Sequence, residues 1–449
     1  MISSATRYKI FGMKVYRSVS NNGNVWFLLL NIPILLKSNR KFYLFGIVYL
    51  SRALIEVLAL WMSNRQNSTG LSAGFYEILR TDYPANAVLL IEAHVFASHA
   101  EFLPCYAKYF RSIGFKVDVL FRQEHLLLHP LTQEITNSME GVRFFCVDFH
   151  NDYERSLLFE LAVNYEFILL TTNDYSLLRF EDFYYNYVIQ KKKNNFYAIN
   201  HSETYRAAEL KAMKDDADRV YYDRHVFNFG VMQKSGPFIC PVSEIYPCGG
   251  AVKKNTQTRF LSIGALLRKN RDYDLLIYSM RDLIKDGVTN FHVEIIGAAN
   301  EITLDDFRGL EPWITVAGST SYPKMYDKIK KSDFFLFLSS YDKQNHYIDN
   351  NPSGIFNLGL MFGKPQLVQE EFAKAYGYDN ENSLIYSEKN LTKSMNAAID
   401  MDSSAYTLLV AGVHKMRGKI QNQSIEHIKK YMLHEEGLFD LHAQDFSKS

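Results

Sequence analysis

NAVLLIEAHVFASHAEFLPCYAKYFRSIGFKVDVLF, residues 86–121, reads as strand, helix, strand. Its start is an unbroken apolar run, as in a strand buried on both faces. The middle then repeats apolar residues at helical spacing as far as Gly114, and KVDVLF begins a second buried run. Two buried strands joined through a helix lie parallel. The stretch therefore predicts a parallel α/β sheet with helices on both faces.

The same rhythm continues outward. VRFFCVDF (142–149), EFILLTT (166–172) and NFYAIN (195–200) read as further strands, with helical stretches such as DYERSLLFELAVN between them. FICPVSEIYPCGGAVKKNTQT (238–258) breaks the alternation with Pro, Gly and polar residues, the composition of a linker. A second series follows: RFLSIG (259–264), a helix around DYDLLIYSMRDLIKDG (272–287), FHVEIIG (291–297), ITVAG (314–318), a helix YPKMYDKIKKS (322–332), and DFFLFLSS (333–340). A helix in NNPSGIFNLGLMFGKP (350–365) and a strand PQLV (365–368) complete it. The expected fold is α/β, two Rossmann-like domains facing across a cleft. Expected domains are 84–240 and 257–425, preceded by a leader at 1–62 and followed by a helix and tail at 426–449.

With 449 residues and 47% apolar content the chain is long enough for several cores. Fifty basic side chains balance 49 acidic ones, so bulk charge gives no support to nucleic-acid binding. The distribution is uneven, because Met1 to Ile55 holds eight basic residues and no Asp or Glu. Within it FGMKVYR (11–17), LNIPILLK (30–37) and FGIVYLSR (45–52) form an imperfect repeat, as short strands separated by turn residues would produce. The apolar strings VWFLLLNIPILL and KFYLFGIVYL fall short of the roughly 20 residues a bilayer crossing needs, and no cleavable signal pattern is expected. Two readings stand for the leader: attachment to an anionic membrane surface, or small strands with solvated charges. The four cysteines have no metal-ligand spacing, which suits reduced thiols in the cytoplasm.

Candidate chemistry sits where the predicted strands end. Asn351, Pro352, Ser353 and Gly354 leave the first turn of a helix bare, so its unpaired N–H groups and partial positive charge could receive a diphosphate; the plainer reading is that Ser353 caps its own helix. Gly264, Arg268, Lys269 and Arg271 follow a strand and offer cations for a nucleoside diphosphate leaving group, unless they form a solvated loop. EAHVFASHAE (92–101) places His94, His99 and Glu101 after the first strand, and His99 or Glu101 could act as a base. DDAD (215–218) spells a metal-binding pattern, but in KAMKDDADRV a solvated helical face is expected.

The second half resembles the nucleotide-sugar domain of GT-B glycosyltransferases through RFLSIGALLRKNRDYDLL, FHVEIIG, VAGSTSYPKMYDKIKKSDFFLFLSS and SGIFNLGLMFGKPQLV, in that order. The first half is similar to their acceptor domain through residues 88–121 and YAINHSETYRAAE, and the leader resembles repeats found before some bacterial lipopolysaccharide glycosyltransferases. The resemblance covers roughly residues 84–390. It implies transfer of a hexose-like sugar from a nucleotide-sugar co-substrate to a lipid-linked glycan of lipopolysaccharide or capsule type, at the inner face of the plasma membrane, with no obligatory metal or other cofactor. It also assigns His201 to the cleft and Gly264, Arg268, Lys269, Arg271, Gly297, Asn350, Ser353, Gly354 and Asn357 to the donor. Ala265 stands where relatives carry an Arg, and Arg271 aligns with their Lys. Asn350 and Leu358 occupy the positions of a paired Glu in retaining members, and one residue earlier Asp349 and Asn357 keep the spacing; stereochemistry is left open. The rival from another class is a catalytically inactive GT-B-like scaffold in a glycan assembly complex. A Rossmann oxidoreductase is disfavoured, since neither half has a G-x-G-x-x-G turn followed by an acidic ribose ligand.

Overall fold

A computed structural model describes residues 5–10, 13–19, 25–29, 32–38, 41–44, 48–50, 86–95, 99–122, 130–149, 152–174, 176–191, 193–213, 216–230, 237–244, 257–298, 301–339, 348, 353–387 and 390–433. The chain divides into two compact units, Met1–Asp82 with Phe145–Val147, and Tyr83–Phe144 with Asp148–Ser449.

The first unit contains an antiparallel meander of β1 (Ala5–Ile10), β2 (Met13–Val19), β3 (Val25–Leu29), β4 (Ile32–Ser38), β5 (Lys41–Leu44) and β6 (Val48–Leu50), paired in sequence order. Its pairings Ile10↔Met13, Leu29↔Ile32 and Leu44↔Val48 leave two, two and three residues between partners. Those residues begin the three copies of the sequence repeat, so the repeat unit is a hairpin. The backbone register sets Arg7 opposite Tyr16 and Lys9 opposite Lys14.

The second unit holds two parallel sheets, except for Phe145–Val147 at the end of one edge strand. β7 (Ala87–Glu92), β8 (Lys116–Arg122), β9 (Val142–Val147), β10 (Phe167–Leu170), β11 (Phe196–Asn200) and β12 (Val226–Asn228) run in the order β12-β11-β10-β7-β8-β9. The chain steps from β7 outward to one edge and then returns to the other side of β7, so strand order reverses between β7 and β10. β13 (Thr258–Ile263), β14 (Phe291–Ile296), β15 (Ile314–Gly318), β16 (Phe334–Phe337), β17 (Gln366–Gln369) and β18 (Ser383–Tyr386) repeat the plan as β15-β14-β13-β16-β17-β18, reversing between β13 and β16. These are two doubly wound, Rossmann-like sheets. β7 and β16 are buried along their whole length, as central parallel strands require.

Helices flank the sheets. α1 (Leu103–Ser112) and α2 (Asp216–His225) belong to the first series, and α3 (Tyr273–Lys285), α4 (Tyr322–Lys331), α5 (Gly354–Met361) and α6 (Ser403–Ile428) to the second. α3 begins where the Asp272 carboxylate accepts from Leu275 N, and it packs Leu276, Met280 and Leu283 against Phe260, Val293 and Phe334. The opposite core joins Phe337, Phe356, Leu360 and Val368 to Val413 and Met416 of α6, and takes in Cys240 and Val242. Each such large side chain contributes roughly 1.5–3 kcal/mol.

Cys240 and Val242 come from the stretch expected to be a linker. Residues 238–243 are instead largely buried, threaded between elements of both sheets. Tyr109 of α1 donates to Cys240 O (2.8 Å) and accepts from Val242 N (3.1 Å), while Cys240 N donates to Ser424 Oγ of α6 (3.0 Å). Backbone groups placed in a protein interior need such partners. The expected separate helix at the C-terminus is also revised, because residues 425–428 end the long α6 and a π turn continues it through Lys429–Leu433.

Candidate functional site

In doubly wound sheets ligands bind beyond the carboxyl ends of the strands, at the point where strand order reverses. Both reversal points of this chain carry polar groups that an apolar core would not tolerate without partners.

At the first, β7 ends in Glu92, whose carboxylate is 1% exposed. It accepts the hydroxyls of Thr171 (2.7 Å) and Thr172 (2.9 Å), just beyond β10, and the amide of His94 (2.9 Å). The carboxylate therefore ties the two strands together across the reversal. Burial raises its pKa against the pull of these donors. Beyond it three imidazoles meet: His99 stands edge-on to His201 with ring centroids 4.1 Å apart and lies 5.0 Å from His94. Phe229 stacks on His201 at 4.0 Å. His201 is fixed by its amide, which donates to Asp174 (3.0 Å), and by Nε2, 3.1 Å from Thr171 O, which makes Nε2 the protonated nitrogen. Burial lowers the His201 pKa to about 3, and burial with the neighbouring His201 and His94 takes His99 well below its usual range. Both imidazoles are thus neutral near pH 7.

His99 is held in the left-handed region at φ 84°, costly for a residue with a Cβ, and precedes the turn Ala100–Phe102 that opens α1. That turn brings Glu101 to the same place. Burial, and after it the charge of Glu92, raise the Glu101 pKa to about 7. Its Oε2, like His99 Nδ1, is buried without a hydrogen-bond partner among the described residues. The carboxyl also reaches electrically into the second sheet's half, for burial and then Glu101 push the phenol of Tyr322, first residue of α4, upward.

At the second reversal point Gly264 follows β13 with φ 135°, and Gly297 follows β14 so closely that a Cβ on it would lie 1.7 Å from Gly264 O. Arg271 fills the space beside Gly264. Its guanidinium is buried, donating to Ser339 Oγ (2.9 Å) and Asn270 O (2.9 Å) and approaching Ile263 O. Asp272 N donates to Leu338 O (2.7 Å), which joins the loop after β13 to the end of β16. α5 begins at this same edge. The Ser353 hydroxyl makes no cap bond to its own helix, while Ser353 N donates to Tyr376 Oη (2.8 Å). The simple cap reading is therefore not the one observed. Gly354 faces open space, so the first turn of α5 is accessible.

Three residues expected at the donor are placed differently. Arg268 is exposed and forked between Asp274 (2.8 Å) and Asp306 (2.5 Å), and Lys269 is exposed beside it; the buried cation at the reversal is Arg271. Asn357 lies one turn into α5, fully buried, with Oδ1 3.7 Å from Cys240 Sγ, so it faces the core and not the open end of the helix. Asn350 and Asp349 lie outside the described residues. Glu92, Thr171, Thr172, Asp174 and Tyr322 were not expected, although a lone Glu closing an apolar strand, and TTND directly after EFILL, are the signals that mark them. The metal-like DDAD falls at the start of α2, where Asp216 pairs with Arg219 and Asp218 accepts from Tyr184 Oη. No group of three or more His, Cys, Asp or Glu among the described residues could hold a metal.

No protein-family model matches the chain, and no curated protein matches it in sequence. Among solved structures it is similar to HepE from Anabaena, in complex with UDP and glucose, at 12% identity and a TM-score of 0.48, over 77% of this chain and 99% of that one. It is similar also to a glycosyltransferase from Rickettsia africae, at 11% and 0.46 over 79% and 100% of the two chains. WaaG, a glycosyltransferase involved in lipopolysaccharide biosynthesis, matches at 9% and 0.41 over 77% and 99%.

Proposed function

We propose that this chain is a nucleotide-sugar glycosyltransferase of the GT-B type, adding a hexose-like sugar to a lipid-linked or cell-surface glycan of lipopolysaccharide or capsule kind. The observation that carries the reading is the contrast between the two strand-reversal points. One holds a protonatable carboxyl among neutral imidazoles; the other holds a buried guanidinium beside an open helix N-terminus. A base on one side and a diphosphate receptor on the other are what glycosyl transfer needs.

In this reading the donor diphosphate rests on the first-turn amides of α5 near Ser353 and Gly354, with Arg271 supplying positive charge. Gly264 and Gly297 keep the backbone thin enough for close approach. Glu101 takes the proton of the acceptor hydroxyl as its oxygen bonds to the anomeric carbon. The bond from that carbon to the diphosphate breaks, and the electron pair leaves with the nucleotide. His99 and His201, neutral and fixed, orient the acceptor. A single displacement of this kind inverts the anomeric centre, and no metal is required, so turnover persists in chelator. The leader adds a membrane contact: eight basic residues and no Asp or Glu from Met1 to Ile55, interspersed with Tyr, Phe and Trp, suit an anionic leaflet at the inner face of the plasma membrane. No helix among the described residues is long and apolar enough to cross a membrane.

The test is a panel of nucleotide sugars screened for thermal stabilisation of the full chain, followed by transfer or donor hydrolysis with those that bind. Stabilisation with measurable nucleotide release supports the reading. Binding without turnover favours the scaffold, and no stabilisation by any nucleotide ends the proposal.

A further inference from the structure

On the side of the second sheet packed by α4 lies a half-open cavity of about 380 Å³ that transfer does not use. β13 and β14 supply Arg259, His292 and Glu294, the last turn of α4 supplies Lys328 and Lys331, and Gln257 stands at the rim. It is set among the amino-terminal halves of the strands. Arg259 precedes Gly264 by five residues, roughly 16 Å along an extended strand, so the cavity is separate from the candidate donor site.

Its charges do not cancel. Glu294 is taken by Lys328, whereas Arg259 and Lys331 have no ion-pair partner among the described residues. Burial lowers the His292 pKa, and the ring is held within the sheet by Nε2, 3.0 Å from Thr315 Oγ1, and by a bond to the Pro312 backbone. The last carbonyls of α4, which would repel an anion, are occupied: Lys364 Nζ takes Lys330 O (3.0 Å) and Ser332 O (2.7 Å). Lysines at a helix end commonly complement its dipole, but that role leaves Arg259 on the neighbouring strand unexplained. Two uncompensated cations match a phosphomonoester dianion. The volume exceeds what a bare phosphate fills and reaches the range of small-ligand pockets.

We propose that this cavity binds a phosphorylated sugar, its phosphate between Arg259 and Lys331 and its hydroxyls against Gln257. The experiment is calorimetric titration of the full chain with inorganic phosphate and, separately, with a hexose 6-phosphate. The hexose phosphate is expected to bind more tightly than phosphate. Arg259→Gln and Lys331→Gln should each weaken it by roughly tenfold, with partial recovery in Arg259→Lys. Lys330→Gln, an exposed cation of the same helix outside the cavity, should change nothing. Unchanged affinity in Arg259→Gln, or equal affinity for the two probes, overturns the proposal. So does loss of hexose phosphate binding in Gly354→Asp, which would place the ligand at the donor site instead.

Discussion

Glu101 concentrates the chemistry at the smallest scale. A carboxyl with its pKa raised to about 7 is half ionised where a base must both take and release a proton. If it is the base, Glu101→Gln should lower kcat by roughly 10²–10⁴ while nucleotide stabilisation is retained, and the wild-type rate should rise as pH climbs through about 7. The same shift has a thermodynamic sign. The folded-state pKa lies above the unfolded one, so the native state holds its proton more tightly between the two, and stability is lost as pH rises across that window. The Gln variant carries no such loss. It should therefore gain on wild type by on the order of 2 kcal/mol between pH 5 and pH 8 in denaturant titrations. A purely structural Glu101 would give no rate loss, and an ionised one no relative gain in stability.

At the scale of single elements, α5 and the meander each permit a substitution that separates binding from folding. Gly354→Asp places a carboxylate in the first turn of a helix, where it favours the helix by about 0.3–1 kcal/mol, and open space receives its Cβ. The variant should melt no lower than wild type yet lose stabilisation by nucleotides, because like charge now opposes the diphosphate. Retained nucleotide binding would remove α5 from the donor site. The meander carries the cations of the acid-free leader. Replacing Arg7, Lys9, Lys14, Arg17, Lys37 and Lys41 by Gln should abolish sedimentation with anionic vesicles while nucleotide stabilisation is retained; undiminished sedimentation would remove the membrane contact. Much of this was readable in the sequence, since NAVLLIEAH and DFFLFLSS are buried runs that only central parallel strands accommodate. β12 and β18 were not, being edge strands of three and four residues, too short for any period to register. Asn357 was misplaced because spacing along a chain does not tell which face of a helix meets the core.

The largest scale concerns what holds the two sheets as one unit, and here composition misled. Residues 238–258 have linker chemistry, yet their first part is an interior strand-like segment pinned by Tyr109 and Ser424. α6 is the companion piece. It starts against the second sheet, where Tyr406 donates to Asp333 O (2.9 Å), and Arg417 then pairs with Glu244 (2.6 Å). Past its end, Tyr197 of β11 donates to Tyr431 O (3.2 Å) and Phe227 of β12 meets the Tyr431 ring at 6.3 Å. One helix of 26 residues, with its π extension, thus staples both sheets. A chain ending at Ser424 keeps the connector's bond to that serine but loses the Phe238–His427 and Tyr431 contacts that reach the first sheet. Domains with few shared contacts unfold separately. Calorimetry should then show one transition for the full chain and two for the shortened one, the second sheet's being the less altered. A single undiminished transition in both would mean that the connector alone couples the halves, and that closure over the donor does not depend on α6.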